Sequence, residues 1–117
     1  MDSTRIEHHI KAPRTVVYRA LLAHTDTYHG RFVKLLQNEQ VVEVDEFETD
    51  DPALRGEMTI TITLADGNGG TDLLAVHEGL PRGVSPADNE IGWRMALGKL
   101  AALVERGVTT HSSEPGQ

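Results

Sequence analysis

The chain is 117 residues long, enough for one domain, and 38% of it is apolar, so a single core is possible. It has no cysteine, which excludes disulfides, thiolate catalysis and Cys-ligated zinc. Lys and Arg number 11 against 18 Asp and Glu, a net charge of −7, which makes nucleic acid and anionic membrane poor partners.

No apolar run approaches the roughly 20 residues that span a bilayer, and Met1 to Arg5 lacks the apolar stretch of a signal peptide. A soluble, unexported, cytoplasmic protein is expected. The domain is placed at residues 5–106, with a disordered N-terminus over 1–4 and a flexible tail over 107–117.

Arg5 to Lys11 reads as a short strand, with Ile6, His8 and Ile10 on one face because strand side chains alternate. Ala12-Pro13 ends it, and Pro13 suits the first position of a helix. Val16, Val17, Ala20 and Leu21 then recur at helical spacing through Ala23. Four strands are predicted next, over Thr27–Leu36, Gln40–Glu48, Met58–Leu64 and Thr71–Glu78. In the third, Met58, Ile60, Ile62 and Leu64 alternate with threonines, the pattern of a sheet buried on one face. Turns at Asn38-Glu39, Asp51 to Gly56 and Asp66 to Gly70 make the connections short, which favours an antiparallel meander.

A long helix closes the chain. Ser85 is its N-cap, Pro86 its first residue, and Asp88 supplies the acid of a capping box. Trp93, Leu97, Leu100 and Val104 form an apolar stripe, and Gly107 is expected to stop the helix. The predicted class is therefore α+β in the order β-α-β-β-β-β-α: a curved antiparallel sheet packed on a long C-terminal helix.

Seven acids lie between Glu39 and Asp51 with no Lys or Arg among them. A solvated strand face plus a turn accounts for the run, with a cation site or a basic partner as the alternatives. Ser85 is the only serine inside the predicted fold, and no G-x-S-x-G elbow is present, so a serine hydrolase is not expected. His8 and His9 are adjacent on a strand and cannot chelate one ion together. His24 and His29 lack helical i,i+4 spacing, and no H-E-x-x-H occurs. Neither a metal nor another cofactor is expected. His77 shares a face with Leu73 and Ala75, so it points inward as His8 does. Two inward imidazoles can orient a ligand or act as acid and base. A buried histidine hydrogen-bonded to backbone is the expectation set against that.

The stretch His77-Glu78-Gly79-Leu80-Pro81, then Gly83 to Glu90, Gly92-Trp93-Arg94-Met95 and Leu97 to Leu103, resembles a known last strand, loop and C-terminal helix. They are those of the activator-of-heat-shock-protein-90-ATPase-like branch of the SRPBCC (START/Bet v 1-like, helix-grip) superfamily. Arg5-Ile6 through Pro13 and Val17 to Leu21 resemble that family's first strand and first helix, and Tyr28-x-Gly30-x-Phe32 with Glu39 to Val42 its middle strands. Family members usually continue after the first helix with a second short helix, a Trp-containing segment and two more strands. Here Leu21-Leu22 runs almost directly into Ala23 to Tyr28, so the domain is a shortened one.

The resemblance implies binding of a small apolar or amphipathic molecule, in a superfamily that also holds cyclases, aromatases and hydrolases. The leading expectation is a non-enzymatic domain with the ligand between sheet and helix. The expected lining is His8, Tyr28, Phe32, Met58, Ile60, His77, Trp93 and Leu97. A cyclase- or hydrolase-type enzyme is the first alternative, with His77 the best catalytic candidate and His8 or Tyr28 its partner. The second is a degenerate oligomeric or co-chaperone-like interaction domain with a filled interior. Loss of two strands leaves open edges at Ile6–Ile10 and Tyr28–Leu35, so a homodimer is expected.

Overall fold

The computed structural model describes residues 2–23, 29–46 and 49–112. Five strands, β1 (Asp2–Ile10), β2 (His29–Leu36), β3 (Gln40–Glu46), β4 (Glu57–Gly67) and β5 (Gly70–Leu80), form one antiparallel sheet in the order β1-β5-β4-β3-β2. Two helices, α1 (Arg14–Ala23) and α2 (Pro86–Ser112), complete the α+β helix-grip arrangement. A single 3-10 turn at Pro52–Leu54 joins β3 to β4.

Local chemistry sets the joints. Asn68 and Gly69 both have positive φ (43° and 76°), the geometry of a tight type I′ hairpin, and they link β4 to β5. Ser85 Oγ accepts from Asp88 N at 3.3 Å and the Ser85 carbonyl from Asn89 N at 2.9 Å, so the predicted cap starts α2. Pro13 stands just before α1, and its carbonyl accepts from Val16 N and Val17 N.

The boundaries at the two ends of the chain differ from expectation. β1 begins at Asp2, and residues 3 and 4, read as disordered, pair with Glu78 and His77. α2 runs through Gly107 to Ser112. One glycine inside a helix costs only about 1 kcal/mol against alanine, too little to end it without a proline. The start of the strand predicted over Thr27–Leu36, at Thr27 and Tyr28, and the end of that predicted over Gln40–Glu48, at Phe47 and Glu48, lie outside the described residues.

The alternation on β4 is that expected: Met58, Ile60, Ile62 and Leu64 are buried while the threonines between them are half-buried. Ile60, Ile62 and Leu64 pack with Ile6, Ile10, Leu73 and Ala75 beneath Leu97, Leu100, Ala101 and Val104 of α2. Val17 of α1 seals one end. α2 follows β1 in the same direction: Asn89 near its start reaches Thr4, and Glu105 accepts from Lys11 N. The helix therefore covers the β1 side of the sheet. β2 forms the opposite edge, and its side chains from Arg31 to Leu36 are all exposed.

Candidate functional site

Register fixes what faces the helix. Thr4, His77, Ile60, Glu43 and Phe32 lie side by side in one row across all five strands. Directly opposed residues in an antiparallel sheet share a face, so this row and the neighbouring Ile62–Val41 pair form a floor. Above it runs one flank of α2, where Asn89, Gly92, Ala96, Lys99, Leu103 and Arg106 recur at spacings of three and four. Floor and flank enclose a cavity of about 820 Å³, mostly apolar and open on one side. That size falls within the ordinary range for small-molecule sites. Leu21 of α1 and the exposed Phe32 of β2 also line it. A Cβ added at Gly92 would meet nothing within 4 Å, so that glycine leaves the space beside Trp93 empty.

One polar cluster stands in this wall. The Trp93 indole N–H donates to His77 Nδ1 at 2.9 Å, and the two rings meet edge to face at 5.9 Å. Indole nitrogen is a donor only, so Nδ1 is the unprotonated nitrogen and the proton sits on Nε2, 3.2 Å from Met58 Sδ. Asn89 Nδ2 donates to Thr4 Oγ1 at 2.9 Å and stands 3.3 Å from the same His77 Nδ1. Burial pushes the imidazole below its ordinary value of 6.5, because a charged ring there loses water. His77 is thus held neutral with its lone pair occupied. These partners are side chains from β4 and α2, whereas a backbone partner was expected; a histidine in mid-strand faces the helix, not the ladder.

The expected lining divides accordingly. Phe32, Ile60, His77, Trp93 and Leu97 line the cavity. Met58 does not; it is fully buried behind His77. His8 faces inward but pairs with Leu73, two rows from His77, about 13 Å along the strand, and does not line the cavity. Tyr28 lies outside the described residues. Glu43 and Asn89 were not anticipated. Glu43 was read as part of a solvated acidic face, but the Val41–Ile62 register turns Glu43 and Asp45 inward and leaves Val42 and Val44 outward. Asp45 is fully buried. The signal that was available for Asn89 is its place four residues before Trp93, on the same side of α2.

His9, on the outer face, pairs with Asp72 across the strands, Nδ1 to Oδ1 at 2.7 Å. Among the described residues no helix is long and apolar enough to cross a membrane.

None of the curated proteins matches the chain. Among solved structures, protein CV1439 from Chromobacterium violaceum is 30% identical with a TM-score of 0.77, over 88% of this chain and 96% of its own. The Aha1 dimer from Colwellia psychrerythraea is 18% identical with a TM-score of 0.69, over 90% of this chain and 97% of its own. DynU16, a protein in the dynemicin biosynthetic locus, is 18% identical with a TM-score of 0.74, over 92% of this chain but only 48% of its own. The last two establish likeness of fold alone. The family described as activator of Hsp90 ATPase homolog 1-like protein matches residues 24–105, the strands β2 to β5 and most of α2. With a match over more than half of its length, this chain belongs to the activator of Hsp90 ATPase homolog 1-like family.

Proposed function

We propose that this protein is a non-enzymatic cytoplasmic domain that binds a small apolar or amphipathic molecule between α2 and the inner face of the sheet, working as a homodimer. The observation that carries the reading is the cavity itself, bounded by Ile60, Ile62, Val41 and Leu100 and left open by Gly92 and Ala96. Burial of a ligand there removes apolar surface from water, the usual source of affinity in such sites. Catalysis is not favoured, because His77 already accepts from Trp93 and His8 does not line the cavity. The dimer is supported by the exposed apolar edge at β2 and by the dimeric state of the Colwellia relative.

The test fills the cavity without touching the core. Gly92→Leu places a side chain in the open space of the cavity wall. Gly98→Leu does the same for helix propensity on the far face, where an added Cβ also meets nothing within 4 Å. Nile red, a neutral dye that fluoresces in apolar surroundings, is expected to bind the wild type and Gly98→Leu and to lose at least about tenfold in affinity for Gly92→Leu, equivalent to about 1.4 kcal/mol. Equal binding by all three proteins would place the apolar site elsewhere.

A further inference from the structure

We infer that the ligand of this cavity carries an anionic group, held at the α1 end by Lys99 and Arg106; the inference rests on the cavity being the binding site. The charges on the wall are segregated. Glu43, the one carboxylate among the described lining residues, sits in the His77 row beside Asn89, at the start of α2. Lys99 and Arg106 lie about 15 Å and about 25 Å further along the helix axis than Asn89, at 1.5 Å per residue. They are one turn-pair apart on the same flank, so both heads border the same end of the cavity.

Neither cation is in an ion pair with a described residue, in a chain whose net charge is −7. Arg14 pairs with Asp66, Arg31 with Glu57 and Arg94 with Glu90. Arg5, Lys11, Arg19, Lys34, Arg55 and Arg82 share the unpaired state; what sets Lys99 and Arg106 apart is that they alone of these line the cavity. Two unpaired cations beside apolar Leu100 and Leu103 present a stem that packs against hydrocarbon and a head that takes an anion. A carboxylate, sulfate or phosphate at the end of an apolar chain or ring system satisfies both. The opposite end, with Glu43, Asn89 and the neutral His77, offers no cation to the same group among the described lining residues. The ligand class is therefore an anionic amphiphile, oriented with its tail toward Trp93.

Three probes with one tail and three heads test this: dodecanoate, dodecanol and dodecyltrimethylammonium, each titrated below micelle formation and read by displacement of Nile red. Dodecanoate is expected to bind about threefold to tenfold more tightly than dodecanol, the scale of two solvent-exposed ion pairs. Added salt is expected to shrink that preference. In the Lys99→Gln, Arg106→Gln double variant the ratio of the two affinities falls to about one, since each exposed pair contributes little beyond its charge. Equal affinity for dodecanoate and dodecanol in the wild type, or preference for the ammonium, overturns the headgroup assignment and leaves the cavity reading standing. Binding of none of the three overturns both. A carboxylate preference that survives in the double variant also overturns the assignment of these two residues.

Discussion

His77 is the side chain whose chemistry the surroundings constrain most. Its Nδ1 accepts from Trp93 and its Nε2 faces a thioether, an arrangement that only the neutral ring satisfies. Protonation would put an N–H against the indole N–H. The folded-state pKa is lowered by burial, so below pH 6.5 the unfolded chain takes up the proton before the folded one does. The His77 contribution to stability is therefore complete above that value and is lost as the pH falls from 6.5 toward the folded pKa. In His77→Gln the amide oxygen can still accept from Trp93, so the fold is expected to survive with a loss of about 1–2 kcal/mol at pH 8, the scale of one imperfect buried hydrogen bond. The measurement is urea denaturation of both proteins between pH 8 and pH 5. Wild-type stability should fall more steeply than that of the variant as the pH drops; parallel profiles would show that another group, not His77, carries the dependence.

At the scale of the element, α2 presents two neighbouring stripes with different jobs. Trp93, Leu97, Leu100 and Val104 reach the core, and the flank from Asn89 to Arg106 borders the cavity. Trp93 belongs to both, since it is half-buried against the core and also donates to His77. Trp93→Ala is expected to cost about 3 kcal/mol, the low end for aromatic truncation because the ring is not fully enclosed. Trp93→Phe keeps most of the packing and loses only the N–H, so it should cost about 1 kcal/mol. Chemical denaturation of the two variants checks the order, and equal losses would show that packing contributes little here. The core stripe was legible in the sequence because Leu and Trp at spacings of four and three are a strong periodic signal, as was the Met58–Leu64 alternation of β4. The cavity stripe was not, although its spacing is just as regular. Glycine, alanine, asparagine and lysine do not read as a face, because what they provide is space and polarity, not burial. Glu43 escaped for a related reason: whether Glu43 or Val42 faces inward depends on pairing with β4, and a shift of one residue exchanges the two faces.

For the molecule as a whole, the sheet is asymmetric, with one edge under the helix and the other bare. α2 lies over the β1 side, and its capped start and Glu105 tie it there through Thr4 and Lys11. On its outer face β1 carries Arg5, Glu7 and His9, charged or polar groups that discourage a flat apolar contact. β2 carries Arg31 and Lys34, but apolar side chains stand beside them. Phe32, Val33, Leu35 and Leu36 are 37%, 51%, 46% and 43% exposed, so both faces of this edge strand present apolar side chains to water. An edge of that kind offers unpaired backbone groups and apolar surface together, which favours pairing with a second copy. A twofold axis beside β2 would run two sheets into one and bring Phe32, which lines the cavity, close to the seam. Val33 and Leu36 are exposed and do not line the cavity, so they report association without disturbing the ligand site. Sedimentation equilibrium at micromolar protein is expected to give a dimer for the wild type and a monomer for the Val33→Lys, Leu36→Lys double variant, because lysine on an edge strand resists self-pairing. The variant should still unfold in one cooperative transition. A wild-type monomer, or a dimer that survives both lysines, would show that the β2 edge is not the surface that joins two copies.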